Sequence, residues 1–171
     1  MRTATFALFF GMIYLAVGLL GLIPATLQAP PADAPRVHFA LLHGYLFGMF
    51  PVNILHSAVH LAIGFWGIVA WRGLLTNPKL YPRAVAVIYG VLTVLGLIPQ
   101  LNTLFGLLPL HGHDVWLHAG TAAIAAYFGW RTEIVVERRD DVRSDRREQA
   151  MLVANERRFG HSDRRIPGSE V

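Results

Sequence analysis

Apolar residues are concentrated in four long segments of this 171-residue chain, and polar residues lie in the connections and in the last forty-one residues. A helix of about 20 residues crosses the hydrocarbon core of a bilayer, and each segment reaches or approaches that length. The third and fourth segments are short once their polar ends are trimmed, so we expect tilt or local thinning of the bilayer. The four predicted spans are residues 4–23, 51–71, 84–101 and 109–130.

This pattern predicts an all-α fold, with a four-helix membrane domain over residues 1–130 and a charged tail over residues 131–171. The tail contains ten of the fifteen basic residues and nine of the eleven acidic residues. Its aliphatic residues come only in small groups, which are too few to bury a core of their own. We therefore expect a solvated tail that is partly helical and partly disordered.

Positively charged residues in the connections indicate how the segments are oriented. Arg2, the connection 72–83 and the arginine-rich tail lie on one side of the predicted topology, whereas the other side has only Arg36. Cytoplasmic loops of membrane proteins carry the excess of lysine and arginine, so we expect cytoplasmic N- and C-termini. The first segment exceeds the roughly 7–15 apolar residues of a secretory signal peptide, and we expect it to be retained as a helix.

The connection between the first two spans has two parts. Residues 24–38 are rich in proline and alanine and are expected to form an extended extracytoplasmic loop. The apolar stretch 39–50 is too short to span a bilayer, and we expect an interfacial or re-entrant helix there. The predicted fold thus contains no β-sheet.

Residues 47–60, FGMFPVNILHSAVH, share an arrangement of glycine, proline and polar positions with residues 105–118, FGLLPLHGHDVWLH. The preceding segments match as well, because both end in LGLIP and place Tyr14 and Tyr89 in equivalent positions. Two such helix pairs enter the membrane in the same direction, and repeats of this kind are related by a pseudo-twofold axis along the membrane normal. The sequence therefore predicts a four-helix bundle made of two tandem helix-pair repeats. In this bundle the second and fourth helices face each other near the extracytoplasmic surface.

The polar residues of these two stretches recur at helical spacing. Positions i, i+3 and i+7 lie within about 60° of one another on a helix, so each stretch places three polar side chains on one face. Ionisable groups within a membrane face the bundle interior, pair with one another or line a wet cavity. The six residues are Asn53, His56 and His60 on the second helix and His111, Asp114 and His118 on the fourth.

The cluster has a functional and a structural interpretation. Three imidazoles and one carboxylate suit a divalent metal such as zinc, copper or non-haem iron, and two histidines across the bundle suit the axial positions of a haem. In the structural interpretation, interhelical hydrogen bonds hold the second helix against the fourth. Proton-linked transport is a further alternative. The candidate metal ligands are His56, His60, Asp114 and His118, with Asn53 and His111 as structural polar residues.

Composition narrows the classes of function. The chain has no cysteine, which excludes disulfides, thiolate metal sites and thiol nucleophiles, and it has no serine triad or phosphate-binding glycine loop. Its calculated pI near 10 does not indicate nucleic-acid binding, because the tail is nearly neutral. We predict a membrane protein with a binding or assembly role rather than an enzyme. A metal- or haem-dependent redox protein and an accessory subunit of a larger complex are alternatives, and the tail arginines are candidates for docking on anionic lipid or a protein partner.

The motifs PxNxxHxxxH over residues 51–60 and GxDxxxH over residues 112–118 resemble the signature of a family of small bacterial four-helix membrane proteins classified as a domain of unknown function. The resemblance covers about residues 4–130. It implies the four-helix topology of a bacterial membrane protein and no activity. We expect the protein to lie in the inner membrane. The resemblance carries over to Asn53, His56, His60, Asp114 and His118, whereas His111 stands where the resemblance implies asparagine.

Overall fold

The computed structural model describes residues 3–131 and 146–155. Within the described residues the chain is mostly helical, and it divides at Arg131 into two units. The helix 146–155 of the second unit is exposed along its whole length. The predictions made for residues 132–145 and 156–171 lie outside the described residues.

The first unit contains four α-helices, one turn of 3-10 helix and three short strands. Each α-helix has 18 residues. In chain order the elements are α1 Thr3–Leu20, the 3-10 turn Pro24–Thr26, β1 Leu27–Gln28, β2 Gly44–Leu46, β3 Phe50–Val52, α2 Ile54–Trp71, α3 Leu80–Leu97 and α4 His113–Trp130.

Three of the described helices, α1, α2 and α3, are long and apolar enough to cross a membrane. The fourth helix, α4, has the same length but a lower mean hydropathy, because its first two turns contain His113, Asp114 and His118. The fold is that of a membrane protein, and the fourth span stays a prediction.

Helix boundaries differ from the sequence-based ones for local reasons. α3 begins four residues earlier than predicted and includes Pro82 in its first turn, where a missing N–H costs nothing because no intrahelical acceptor is available there. α4 begins four residues later, because Gly112 adopts a positive φ of 68° just before it. We expected Pro51 to begin the second helix, but this residue belongs to β3.

Within each pair the helices approach closely at glycine. A Cβ on Gly64 of α2 would lie 2.6 Å from the backbone nitrogen of Leu15 on α1, and one on Gly67 would lie 2.7 Å from the carbonyl oxygen of Ala7. Only glycine permits this separation of the two backbones. In the second pair, Arg83 of α3 donates from Nε to the carbonyl oxygen of Gly129 on α4, at 2.9 Å.

Contact between the pairs is made by larger side chains. Phe6 of α1 and Tyr81 of α3 are fully buried and their ring centroids lie 6.2 Å apart. Tyr14 and Tyr89 meet in the same way at 5.2 Å. These aromatic contacts form much of the core between the two helix pairs, together with smaller residues such as Val85 and Ala125.

The connection from α1 to α2 contains an antiparallel sheet in the order β1-β2-β3, so the all-α prediction was wrong in this segment. β2 and β3 form a hairpin in which Leu46 pairs with Phe50, and residues 39–50 are not helical. The prediction of an interfacial or re-entrant helix in this segment was therefore wrong. Gly44, Gly48 and Pro51 are poor helix formers, and Gly48 has a positive φ of 74° in the hairpin turn.

Candidate functional site

Asn53 holds the start of α2 in place. Its side-chain oxygen accepts a hydrogen bond from the backbone N–H of His56 at 2.9 Å, which makes Asn53 the N-cap of α2. The prediction had placed Asn53 on the face of the helix instead. Its amide nitrogen donates to the carbonyl oxygens of Phe39 at 2.9 Å and Leu107 at 2.7 Å. Asn53 therefore connects α2 to both extended connections, and it is fully buried.

Asp114 lies in the first turn of α4 and faces two histidines. Its Oδ2 is 3.5 Å from Nε2 of His118, one turn along the same helix, and 4.0 Å from Nε2 of His56 on α2. All three side chains are buried. The predicted meeting of the polar faces of α2 and α4 is thus present in the structure at these residues.

His60 completes a group of three histidines. One ring nitrogen from each of His56, His60 and His118 can be chosen so that all three lie within 4.8 Å of one another. The centroids of the His56 and His60 rings are 4.6 Å apart, and those of His56 and His118 are 6.0 Å apart. Three imidazoles from two helices therefore converge on one small volume inside the protein.

Several polar atoms of this cluster have no hydrogen-bond partner among the described residues. They are Nδ1 of His56, Nδ1 of His60, Nδ1 and Nε2 of His118, and Oδ2 of Asp114. Buried polar groups are nearly always paired in folded proteins, and an unpaired group calls for a specific explanation. The separations of 3.5 and 4.0 Å are also longer than those of good hydrogen bonds.

Two tyrosines lie beside the cluster, and the sequence pattern did not assign them to the site. The ring of Tyr14 lies 5.4 Å from that of His60, and the ring of Tyr89 lies 4.9 Å from that of His118. The Tyr14 hydroxyl donates to Oγ1 of Thr121 at 3.1 Å. Their equivalent positions, six residues before the LGLIP sequence in each half of the chain, could have indicated that the two tyrosines meet at the site.

His111 lies outside the converging group. It belongs to the turn before α4, because the helix begins only at His113. The prediction that His111 lies on the face of α4 was therefore wrong. Its buried ring lies 6.1 Å from that of Tyr45 on β2. Burial lowers the pKa of His111, and the nearby His43 lowers it further.

Residues in equivalent positions of the two matching stretches, and of the two helices that precede them, contact each other. The backbone of both stretches also begins alike: Phe47 and Gly48 have φ of 52° and 74°, and Phe105 and Gly106 have φ of 59° and 84°. The contacting equivalent pairs are Phe6 with Tyr81, Tyr14 with Tyr89, His56 with Asp114, and His60 with His118.

No curated protein and no solved structure matches the chain. Residues 4–131 match the family described as Domain of unknown function (DUF4383). This match covers most of the chain and almost the whole of the first unit, and it confirms the resemblance to a family of unknown function. The chain belongs to the DUF4383 family.

Proposed function

We propose that this protein is a metal-binding integral membrane protein whose centre is held by His56, His60, His118 and Asp114. The observation that carries the proposal is the convergence of three buried imidazole nitrogens within 4.8 Å. Nitrogen ligands of tetrahedral zinc lie about 2.0 Å from the metal and hence about 3.3 Å from one another. The observed limit of 4.8 Å is wider, so the three side chains would have to rotate towards a bound ion.

The surroundings of the histidines support a metal. The His56 ring lies near the backbone carbonyls of Pro51 and Pro109, although its Nδ1 forms no hydrogen bond within the described residues, and its Nε2 lies 4.0 Å from Oδ2 of Asp114. Histidine ligands usually donate their second N–H to a carbonyl or carboxylate, which fixes the tautomer and orients the ring. Asp114 lies beside two of the three imidazoles and supplies negative charge to a bound cation.

A purely structural cluster and a haem fit less well. A structural cluster would pair its polar atoms, yet five of them have no hydrogen-bond partner among the described residues. A haem needs one axial ligand on each face of a wide flat ring. The His56 ring and the Tyr14 and Tyr89 rings lie within 4.6 to 5.4 Å of the two candidate axial histidines, which leaves little room for that ring.

The proposal includes a membrane arrangement with four spans. Asp114 and His118, two of the polar residues that lower the hydropathy of α4, are buried against the other helices, so they do not oppose its insertion. Equivalent residues contact each other at a twofold axis, and the four pairs described above support an internal duplication on this ground. With a rise of 1.5 Å per residue, His118 lies about 8 Å along α4 from its first residue.

Metal analysis of the purified protein tests the function. The protein is purified in mild detergent, incubated separately with zinc, copper or iron(II), freed of excess metal and measured by mass spectrometry of the elements. We expect one metal ion per chain. His60→Ala and His118→Ala should reduce bound metal at least tenfold.

His113→Ala is the matched control, because His113 lies on the same helix but is exposed. It should retain the metal. A parent protein that binds none of the three metals stoichiometrically would show that the cluster only holds the helices together, and so would equal metal content in His113→Ala and His118→Ala.

The proposed location is the bacterial inner membrane, with cytoplasmic termini and the cluster near the extracytoplasmic surface. The excess of lysine and arginine in the predicted cytoplasmic connections supports this orientation. Because the chain has no cysteine, single cysteines report sidedness cleanly. An impermeant thiol reagent added to intact cells should label Asp33→Cys and not Ser169→Cys, and the opposite pattern would reverse the orientation.

A further inference from the structure

A groove between α1 and α4 reaches the histidine cluster from the side of the helix bundle. Its volume is about 290 Å³, which is near the lower end for pockets that bind small molecules. Much of its rim is apolar and exposed; Trp116, for example, has 70% of its surface accessible. Since α1 is a membrane-spanning candidate, the groove opens towards the position of lipid rather than of water.

The groove has apolar walls and a polar floor. The walls come mainly from Phe10, Ile13 and Val17 on α1 and from Leu117 and Ile124 on α4. The floor consists of four polar side chains at the level of the cluster. These are Tyr14, His60, His118 and Thr121.

The floor has unused hydrogen-bonding capacity. Nδ1 of His60 and Nδ1 of His118 are buried without a hydrogen-bond partner among the described residues. Nε2 of His118 faces Asp114, so a metal at the centre would occupy that nitrogen and leave the proton on Nδ1. A ligand histidine whose second N–H lacks a protein acceptor is available to an acceptor oxygen of a bound molecule.

The lining also restricts the charge of the occupant. None of the described residues that line the groove is a lysine or an arginine, so a carboxylate or phosphate would have no counter-ion in an apolar setting. A neutral oxygen atom is the head group that this floor accommodates. The apolar walls favour a hydrocarbon body, and Phe10, Tyr14 and Trp116 offer flat aromatic surfaces.

We propose that the groove binds a neutral, membrane-dissolved molecule, a quinone or a long-chain alcohol, with its carbonyl or hydroxyl oxygen on the floor formed by Tyr14, His60, His118 and Thr121. The proposal rests on the α1–α4 groove and on the lateral position of its opening, and it shares two histidines with the proposed metal centre. It does not require the metal, because a neutral imidazole donates the same hydrogen bond without it.

Two glycines provide a matched pair of variants. Gly120 of α4 lines the groove, whereas Gly90 of α3 does not, and a Cβ added at either glycine meets no atom within 4 Å. Gly120→Leu is therefore designed to add a side chain to the groove from a position where Cβ itself meets no neighbour, and Gly90→Leu adds the same side chain elsewhere on the membrane face. Both variants are checked for a monodisperse profile in size-exclusion chromatography. If Gly120→Leu is not monodisperse, Ile124→Trp fills the same groove from the next turn.

Binding is measured by native mass spectrometry in mild detergent with decylubiquinone, 1-dodecanol and dodecane as probes. We expect one decylubiquinone or dodecanol per chain in the parent and in Gly90→Leu, with occupancy at least tenfold lower in Gly120→Leu. Binding of only one of the two probes identifies the carbonyl or the hydroxyl as the head group. Equal occupancy in both glycine variants, no binding by the parent, or equal binding of dodecane would overturn the proposal.

Metal content is measured in the same samples. Loss of the probe from Gly120→Leu with its metal retained separates the groove from the metal centre and supports this proposal. A metal-free parent that binds the probe in the groove would overturn the metal-binding function and leave the groove proposal standing.

Discussion

The contacts within each helix pair and the contacts between the pairs are of different kinds. Within the first pair, Gly64 and Gly67 bring α1 and α2 so close that backbone touches backbone. Between the pairs, contact is made by aromatic rings, imidazoles and one carboxylate. Backbone contact through glycine leaves no room for change, whereas a contact through long side chains can be rearranged residue by residue. The difference indicates that the pairs are the structural units and that the cluster of histidines and Asp114 lies in the seam between them.

The largest expected effect comes from a substitution within a pair. Gly64→Leu places side-chain atoms where the backbone of α1 lies, at 2.6 Å from the Leu15 nitrogen for Cβ alone, and overpacking of this degree costs more than about 3 kcal/mol. We expect little or no monodisperse protein in size-exclusion chromatography. Gly90→Leu is the control, and equal yields of the two variants would show that the close approach of α1 and α2 is not required.

A smaller effect is expected at the junction of α2 with the connections. Asn53→Asp keeps the acceptor that caps α2 but removes the donors to the Phe39 and Leu107 carbonyls. Leaving buried groups unpaired costs about 1–3 kcal/mol each, so the midpoint of thermal unfolding in detergent should fall well below that of the parent. A midpoint equal to the parent's would show that capping alone accounts for Asn53.

A hydrogen bond across the seam should contribute less. Thr121→Val removes the acceptor of the Tyr14 hydroxyl while keeping the shape of the side chain, and interhelical hydrogen bonds in membrane proteins average about 0.6 kcal/mol. We expect a small decrease in thermal stability with an unchanged metal content. Loss of metal in this variant would mean that Tyr14 positions His60 through this bond.

The smallest effect is confined to acid pH. Burial lowers the pKa of His111 in the folded state below its usual value near 6.5, so the unfolded chain binds the proton more readily and stability falls as the pH drops below that value. His43, the nearby titratable group, acts in the same direction. In His111→Asn the thermal midpoint should decrease less between pH 7 and pH 5 than in the parent. An unchanged pH profile would show that other groups cause the decrease.

The helices and the meeting of α2 with α4 could be predicted from the sequence, because both depend on local patterns. Apolar length fixed the approximate positions of α1 to α4, and i, i+4 spacing placed His56 beside His60 and Asp114 beside His118. The sheet could not be predicted in the same way. Its strands have only two or three residues, and their pairing depends on a hairpin turn with positive φ at Phe47 and Gly48.

The position of Tyr14 beside the site could not be predicted from the sequence either. Tyr14 contacts His60 and Thr121 across large sequence separations, and such contacts depend on how the helices are rotated relative to one another. Polar spacing along one helix contains no information on that rotation. For the same reason His111 was placed on the helix face, since its spacing fits a helix that in the structure begins only at His113.

His56 and Asp114 occupy equivalent positions in the two stretches, yet one is a base and the other an acid. Two identical halves would place either two histidines or two carboxylates at this point of the axis, and a homodimer has no means of doing otherwise. Within a single chain the two positions are free to differ, as they do here. With one carboxylate and three imidazoles, the proposed centre would leave a bound divalent cation part of its charge, and an ionised Asp114 would place the negative group of the site on α4. The inequality of this single pair would make the proposed centre electrically asymmetric, so that molecules approaching from its two sides would meet different electrostatic potentials.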